Sequence, residues 1–280
     1  MVKDYFSHLN ATEKRILKNK GTEEPFSGEY NEHFEPGIFI CRACGNPLYE
    51  SNTKFNSGCG WPSFDDELEG AIVRNNDLSG GRIRVEICCA RCNGHLGHVF
   101  NGEQITKKNT RHCVNSLSIK FILHSHLETA TFGAGCFWHI EKIFREEEGV
   151  YLATSGYMGG NTLDPTYKEI CIGNTNHVEV VNIYFNPKII SYIDLLGVFW
   201  ESHNPTTLNQ QGLDIGTQYR SVIFYYSDLQ KVSAEKSIQE VQGNFSKPIV
   251  TQIIEKDTFY RAEEYHQNYL NKNNLGSCII

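Results

Sequence analysis

Two C-x-x-C pairs constrain the fold of the first half of the chain more than any other feature. They are Cys41-Arg-Ala-Cys44 and Cys89-Ala-Arg-Cys92. Each spacing lets a tight turn direct two thiolates at one ion, and two such pairs complete a tetrahedral Cys₄ zinc site. Because a Cys₄ site has no open coordination position, its predicted role is structural. The alternatives are two redox-active pairs or buried structural cysteines; Cys88 breaks the register and is not a predicted ligand.

The cysteine content and the charge together narrow the class of protein. The chain has 280 residues, ten cysteines and a net charge of −7. The N-terminal residues MVKDYFSHLNATEKR lack the apolar segment of a signal peptide, so we expect a cytoplasmic location and metal or redox chemistry rather than a disulfide framework. An acidic chain without a basic run is not expected to bind nucleic acid or an anionic membrane, and no apolar stretch is long enough for a membrane helix.

The distribution of strand and helix signals predicts two domains. Residues 1–123 contain short β-rich runs separated by turn residues, preceded by a helix from Asn10 to Asn19 that Asn10 and Glu13 can cap. Residues 129–280 mix helical and strand patterns, so an α+β domain is expected there. Residues 124–128 are the predicted linker, too short for free independent movement.

Cys113 is the first candidate nucleophile. It lies in TRHCVNS, directly after Arg111 and His112, and a cationic neighbourhood lowers the pKa of a thiol and makes it nucleophilic. A single cysteine before a strand is more often a small buried hydrophobic residue. The residues alone therefore leave both interpretations of Cys113 open.

Two further motifs supply groups that a thiol chemistry needs. In SGCGWPSF, glycines flank Cys59 and free its backbone, which suits a resolving thiol, and Trp61 supplies an apolar wall. In HLGHVF, His95 or His98 could act as a proton donor. The alternatives are a structural Gly-Trp-Pro turn and histidines that support the backbone of the metal site.

These motifs resemble the B-type methionine sulfoxide reductases. SGCGWPSF, CNGHLGHVF, RHCVNS, KGTEEPFSGEY and the spacing of the C-x-x-C pairs carry the resemblance over about residues 5–122. It implies a largely antiparallel β fold, Cys113 as nucleophile and Cys59 as resolving thiol. It also implies a set of residues around the sulfoxide: Trp61, His95, His98, Arg111 and Asn115. His112 departs from the family pattern, where an aromatic residue is more usual, and Asn101 stands where an acidic residue is common.

Cys136 is the candidate nucleophile of the second half. It lies in GAGCFWH between a strand and a helix, where the positive end of the helix dipole lowers the pKa of a thiol. Phe137 and Trp138 can form an apolar pocket for a methyl group. Glu179, in the apolar strand HVEVV, is a candidate acid if burial keeps it protonated, although a lone Glu in a strand usually faces solvent. Tyr167, Asp214 and Tyr219 add polar groups, and the alternative for the aromatic residues is ordinary packing.

The second half resembles the A-type methionine sulfoxide reductases. The resemblance covers about residues 129–275 through GAGCFWHIEKIF, SGYMGG, DPTYKEICIGNTNHVEVV, FWESHNPT, DIGTQYRS and RAEEYHQNYL. It implies an α+β two-layer sandwich and Cys278 as the thiol that resolves Cys136, with Cys171 a buried bystander. It also implies Cys136 as the nucleophile and Glu179 as the acid. Tyr167 and Tyr219 are the implied hydroxyl donors, and Asp214 is a nearby polar group. Phe137 and Trp138 are the implied methyl pocket. His139 and Asn176 depart from the family pattern, which often has glycine at both positions.

The two resemblances therefore imply reduction of methionine sulfoxide, with the R epimer at the first site and the S epimer at the second. A thiolate attacks the sulfoxide sulfur, an acid protonates the oxygen, and the resulting sulfenic acid condenses with a second thiol to a disulfide. An external dithiol, thioredoxin, is the expected reductant. No flavin or nicotinamide motif is present in the sequence. The alternatives are a zinc-bearing redox sensor without turnover, a thiol–disulfide oxidoreductase and a cysteine hydrolase.

Overall fold

The computed structural model describes residues 4–81 and 83–275. By its internal contacts the chain divides into two compact units, the first ending at His126 and the second beginning at Leu127. Cys278 lies outside the described residues. In the part of the chain that is described, no helix has the length and apolar character needed to cross a membrane.

The first unit is built mainly from strands, as the sequence predicts. Its elements are α1 (Ala11–Leu17), β1 (Gly37–Cys41), β2 (Pro47–Glu50), β3 (Lys54–Phe55), β4 (Ser63–Phe64), β5 (Ile72–Asp77), β6 (Arg84–Cys89), β7 (His95–Asn101), β8 (Thr110–Val114) and β9 (Ile119–Leu123). They form a three-stranded sheet of order β2-β1-β9 and a six-stranded sheet of order β3-β4-β8-β7-β6-β5. Every strand pair described in this unit is antiparallel.

Aromatic side chains form the centre of the first unit's core. Phe39, Tyr49 and Phe64 are fully buried, and the rings of Tyr49 and Phe64 stack with their centroids 4.1 Å apart. The predicted first helix and its capping box are confirmed, because the Asn10 side chain accepts from the Glu13 amide and the Glu13 carboxylate accepts from the Asn10 amide. The sheet that carries Cys113 therefore lies on a well-packed base.

The second unit combines helices with one large sheet. Its elements are β10 (Glu128–Gly133), α2 (Phe137–Glu146), β11 (Val150–Met158), α3 (Tyr167–Ile172), β12 (Val178–Phe185), α4 (Tyr192–Glu201), β13 (Gln210–Gln211), β14 (Asp214–Ile215), β15 (Val222–Tyr225), α5 (Asp228–Val241), β16 (Gln252–Glu255), β17 (Tyr260–Arg261) and α6 (Tyr269–Lys272). The sheet order is β16-β15-β10-β12-β11-β17, and β13 and β14 form a separate hairpin. Only β15 and β16 pair in parallel among the described strands, and α5 provides the crossover that a parallel pair needs.

The alternation of side chains along β12 determines where its carboxylate lies. Val178 and Val180 pack in a small cluster on one face of the sheet, whereas Val181 and Ile183 belong to the main core with residues of α2 and α4. Because successive strand residues point to opposite faces, Glu179 shares the face of Val181. It therefore faces α2, the helix that follows Cys136.

Candidate active sites and metal centre

The four predicted zinc ligands lie together in the first unit. Sγ of Cys41 is 3.6 Å from that of Cys92, Sγ of Cys44 is 3.5 Å from that of Cys89, and all four sulfurs lie within 4.8 Å of one another. A tetrahedral zinc with Zn–S bonds of 2.3 Å requires sulfurs about 3.8 Å apart. The donor set and spacing therefore fit a Cys₄ metal centre. Cys88, whose side chain is buried near Asn75, is not part of this group.

The two C-x-x-C turns have the same backbone hydrogen bonds. In the first, the Gly45 amide donates to the Cys41 carbonyl; in the second, the Asn93 amide donates to the Cys89 carbonyl. Gly45 and Asn93 both have positive φ, +74° and +58°, a conformation that glycine and asparagine adopt at least cost. Two equivalent turns thus hold the thiols in position from the ends of β1 and β6.

Cys113 and Cys59 form a close pair of thiols. Cys113 lies in β8 and pairs with Ser63 of β4, and Cys59 lies in the turn just before β4. Their Sγ atoms are 3.8 Å apart. The glycines that flank Cys59, Gly58 and Gly60, both have positive φ, so the tight turn that brings Cys59 to β8 depends on them.

A cavity opens beside Cys113. His98 and Cys113 are cross-strand partners in β7 and β8, and their side chains are on the same face of the sheet. The lining comprises Thr22, Trp61, Arg84, Gly97, His98, Phe100, Cys113 and Asn115. Cys59, His95 and Arg111 are not among these lining residues. A Cβ at Gly97 would collide with the backbone carbonyl of Cys113, so glycine is required where β7 approaches the nucleophile strand.

The thiol–thiol hydrogen bond separates the pKa values of the pair. It lowers the pKa of Cys59 to about 4, with further lowering by hydrogen bonds from Ser57 and Ser63. The same hydrogen bond raises the pKa of Cys113, an effect that burial adds to and Arg111 opposes. Two interacting thiols titrate as a unit, so the pair holds one proton and one negative charge over a wide pH range.

Both histidines of HLGHVF have carboxylate partners. His98 Nε2 lies 2.7 Å from Oδ2 of Asp77. His95 is buried, and its Nδ1 lies 2.7 Å from Oε1 of Glu86, whose other oxygen accepts from Lys20 at 2.7 Å. Sequence reasoning missed Asp77, Glu86 and Lys20, because carboxylates and a lysine scattered along the chain show no pattern before strands pair.

Arg111 and Asn115 are also held by acidic residues. Arg111 forms a two-point pair with Glu103, at 2.7 and 2.8 Å, and its guanidinium lies over the ring of Phe100. Oδ1 of Asn115 accepts from the Glu23 amide at 3.0 Å, and the Glu23 carbonyl accepts from the Trp61 indole at 3.2 Å. Glu23, in the motif KGTEEPFSGEY, therefore connects two residues of the cavity wall.

Cys136 lies directly before α2, the first helix of the second unit. It is the N-cap residue of α2, so the helix dipole points at it as predicted. Gly135 precedes it with φ +89°, and a Cβ there would lie 2.6 Å from the Gln211 side chain. The hairpin β13–β14 thus packs against the turn that presents the thiol.

Glu179 lies at the same helix end and is 2% exposed. Its Oε2 accepts from the amide of Phe137 at 3.2 Å, so the interpretation of this residue as solvent-facing is wrong. Burial raises the pKa of Tyr167 and of Tyr219, and the nearby Glu179 carboxyl adds to the effect whenever it is ionised. Burial also raises the pKa of Asp214, which adds to the field at Tyr219. Two protonated hydroxyls and two carboxyl groups therefore meet near Cys136.

Phe137 and Trp138 form one aromatic group with residues from the end of the chain. Phe137 is 1% exposed. The Trp138 indole stacks on Tyr269 with ring centroids 3.8 Å apart, and its Nε1 donates to Nδ1 of His266 at 3.0 Å. The indole is thus fixed on one face and at its edge.

Two expectations for the second unit change in light of the structure. Cys171 was expected to be buried, but it is exposed near the end of the short helix α3, beside Tyr167. Asn176, where the family often has glycine, has φ +58°. Asparagine tolerates this left-handed conformation better than most residues, so the substitution keeps the turn before His177.

Both halves of the chain match known families. The family model named Peptide methionine sulfoxide reductase matches residues 128–280, and the model named SelR domain matches residues 9–123. A Peptide methionine sulfoxide reductase MsrA from Methanothermobacter thermautotrophicus is 52% identical over 158 residues, which are 56% of this chain and 94% of that protein. The MsrA of Geobacter sulfurreducens is 53% identical over 157 residues, 55% of this chain and 97% of that protein.

Two solved structures resemble the chain over about half its length. Mxr1 from Saccharomyces cerevisiae in reduced form has a TM-score of 0.53 at 36% identity, covering 55% of this chain and 90% of that one. Methionine sulfoxide reductase A of Corynebacterium diphtheriae has a TM-score of 0.51 at 36% identity, covering 55% and 78%. The chain therefore belongs to the peptide methionine sulfoxide reductase family, as a methionine sulfoxide reductase in which a SelR (B-type) domain precedes an A-type domain.

Proposed function

We propose that the two domains reduce opposite epimers of methionine sulfoxide, free or in proteins, the R epimer beside Cys113 and the S epimer beside Cys136. The observation that carries this proposal is the cavity that Cys113 and His98 line together. It gives a sulfoxide a place between a thiol and a proton donor. Sulfoxide sulfur is chiral, and a rigid pocket accepts one arrangement of methyl and oxygen, so one chain needs two sites to reduce both epimers.

At the first site Cys113 is the nucleophile, since it lines the cavity and Cys59 does not. The proton shared by the pair moves to Cys59, and the Cys113 thiolate attacks the sulfoxide sulfur. His98 protonates the oxygen as the S–O bond to methionine breaks. Asp77 holds Nε2–H of His98, so the acidic proton is the one on Nδ1 of the imidazolium. Trp61 and Phe100 provide apolar surface and Asn115 a polar group in the cavity wall. His95 and Arg111 act through residues of that wall, since they contact His98 and Phe100.

The protonated oxygen passes to the Cys113 sulfur as the bond between the two sulfur atoms breaks, so the products are methionine and a sulfenic acid on Cys113. Cys59 then attacks the Cys113 sulfur, a disulfide forms and water leaves. The Sγ–Sγ distance of 3.8 Å supports this role for Cys59, because only a small approach is needed to reach the length of a disulfide bond. Thioredoxin, as an external dithiol, reduces the disulfide and restores both thiols.

At the second site Cys136 attacks and Glu179, in its protonated form, gives its proton to the sulfoxide oxygen. Burial favours the neutral carboxyl, and the hydroxyls of Tyr167 and Tyr219 stabilise the developing charge, with Asp214 as a further polar group. Phe137 and Trp138 enclose the methyl group. Cys278 is the proposed resolving thiol, and thioredoxin again restores the dithiol.

Cys41, Cys44, Cys89 and Cys92 would hold a zinc ion that links the two C-x-x-C turns of the first domain. When bound it supplies structural cross-linking and no open position for substrate. We also assign the second domain to the α+β two-layer class, since residues of α2, α4 and α5 share one core with the sheet. The proposed functional boundaries are 1–123 and 129–280, with 124–128 between them.

The test is a stereo-resolved assay of the intact chain. Each epimer of methionine sulfoxide is supplied with a chemical dithiol to the wild type, Cys113→Ser and Cys136→Ser. We expect Cys113→Ser to lose only reduction of the R epimer and Cys136→Ser only that of the S epimer. Cys171→Ser, an exposed cysteine in the second domain, is the matched control and keeps both activities. The epimer assignment fails if either nucleophile variant loses the other epimer, or if both lose both.

A further inference from the structure

His266 lies at the centre of the aromatic group beside Cys136, yet no sequence motif marked it as a site residue. It ends the 3-10 turn Glu264–His266 and is 1% exposed. Its ring centroid is 5.0 Å from that of Phe137, 5.6 Å from that of Trp138 and 4.4 Å from that of Tyr167. One imidazole therefore contacts three residues of the proposed active site.

The hydrogen bond from Trp138 fixes the protonation of this ring. An indole N–H can only donate, so Nδ1 of His266, 3.0 Å away, must be the acceptor. The imidazole hydrogen must then be on Nε2. Burial lowers the pKa of His266, which agrees with a neutral ring. His266 is thus held as one tautomer in one orientation.

The second ring nitrogen of His266, Nε2, is less well satisfied than Nδ1. Nε2 of His266 is buried and has no hydrogen-bond partner among the residues that the structure describes. The nearest carboxylate oxygen, Oε2 of Glu263, is 3.9 Å away, and Glu263 already accepts from the Tyr157 hydroxyl and the Tyr167 amide. An unsatisfied buried N–H is unfavourable. The polar contact that orients the ring is therefore the one between Nδ1 and the Trp138 indole.

We propose that His266 is a positioning residue that sets the width of the methyl pocket by holding the indole edge of Trp138. Tyr269 holds the same indole from its face, at a centroid distance of 3.8 Å. Without the acceptor, the indole keeps its stacking partner but is free to turn in its plane, and the wall of the pocket moves. The main consequence is on discrimination between a methyl group and a larger alkyl group. The inference rests on the proposed function of the second site.

The experiment compares two substitutions in the full chain. In His266→Asn the side-chain oxygen can replace Nδ1 as acceptor, whereas His266→Leu fills similar space without one. Each variant is assayed with the S epimers of methionine sulfoxide and ethionine sulfoxide. One methylene group in a fitted apolar pocket changes kcat/KM by roughly 10–200-fold. We expect His266→Leu to reduce this preference to a few-fold, mainly through the methyl substrate, and His266→Asn to retain most of it.

Reduction of the R epimer at the first site is the internal control and should be unchanged. The double variant Trp138→Phe/His266→Leu should discriminate no worse than Trp138→Phe alone, since His266 acts through the indole. If His266→Leu keeps the wild-type preference, or if His266→Asn loses as much as His266→Leu, the inference is overturned. Should the leucine variant not fold, His266→Phe, which keeps an aromatic ring but offers Trp138 no acceptor, takes its place in both comparisons, with the same expected loss of preference. Failure of the proposed function looks different, because the wild type would then not reduce the S epimer.

Discussion

The two candidate sites place a thiol, an acid and an apolar wall with different structural elements. In the first unit, Cys113 lies within a sheet and its partner Cys59 is 3.8 Å away. In the second, Cys136 lies at a helix N-terminus, and the thiol proposed as its partner, Cys278, lies outside the described residues. The first arrangement has both sulfurs in place before reaction. The second relies on the helix dipole and on a buried carboxylate.

The proposed acids also lie in different surroundings. His98 lines a cavity, and its Nε2 lies 2.7 Å from Oδ2 of Asp77. Glu179 is buried at the N-terminal end of α2, where its carboxyl group accepts from the Phe137 amide. The two proposed proton donors therefore lie in different environments, one beside a charged carboxylate and one buried against a helix end. The first solution depends on precise strand pairing and the second on packing.

The largest expected effect tests whether the first site alone depends on a metal. Cys41→Ser removes one of four thiolates from the proposed zinc site. Since zinc binding to such sites contributes about 10–16 kcal/mol to folding, we expect this variant to lose zinc and all reduction of the R epimer. Cys88→Ser, a buried cysteine outside the cluster, is the matched control and should retain its zinc. Zinc content and both activities are measured on the same samples, and the S epimer should still be reduced in each.

The second prediction concerns the buried acid of the other site. Glu179→Gln keeps the shape of the side chain but has no acidic proton. General acid catalysis contributes about 10²–10⁴-fold, so kcat for the S epimer should fall by that range. Glu141→Gln changes another buried carboxylate, which accepts from Ser155 and Asn268, and should keep kcat within a few-fold. Equal losses in the two variants would mean that Glu179 acts through stability.

Local sequence patterns were sufficient to predict those features that depend only on residues close together along the chain. The C-x-x-C turns, the Asn10 capping box and Cys136 before a helix all follow from residues close in sequence, and the structure has them in place. Because strand pairing is not encoded locally, the partners Asp77 of His98 and Glu86 of His95 could not be predicted.

The wrong expectations have the same origin. Cys171 was expected to be a buried bystander, but α3 is a short surface helix and leaves it exposed. The alternative that Glu179 faces solvent is the usual case for a single Glu in a strand. It is wrong here because Glu179 lies on the side of β12 that packs against α2. Long-range packing determines burial, and a single sequence contains no direct record of it.

The third prediction uses pH to test the protonation state of His112, a buried residue beneath the first site. His112 is fully buried behind Cys113, with Nδ1 3.2 Å from the Tyr49 hydroxyl and Nε2 3.3 Å from Arg74. Burial lowers its pKa from 6.5 to about 4, with Glu67 opposing and Arg74 adding to the shift. The native state therefore binds this proton less readily than the unfolded chain does, so stability is lost as pH falls from 6.5 towards 4. The full effect is about 3 kcal/mol.

His112→Phe removes this titration. The free energy of unfolding of the first domain in urea is measured for both proteins, with zinc release as the signal. The difference between them should shift in favour of the variant as pH decreases. Protonation of the zinc ligands affects both proteins equally and cancels in the comparison. A difference that stays constant from pH 7.5 to 5 would contradict the buried neutral state of His112.

The smallest expected effect compares the same helix cap in the two domains. Asn10 and Glu13 cap α1, and Thr166 and Glu169 cap α3, which begins with Tyr167. Replacing either N-cap residue with alanine costs about 1 kcal/mol of stability. Asn10→Ala should leave the rate at the first site unchanged, because α1 carries no residue of the cavity wall. Thr166→Ala should also lower kcat for the S epimer several-fold, since a frayed first turn displaces the Tyr167 hydroxyl from Glu179. Thermal midpoints and both rates distinguish the cases: a Thr166→Ala variant that is destabilised but fully active would show that Tyr167 is held by Glu263 and His266 rather than by its helix.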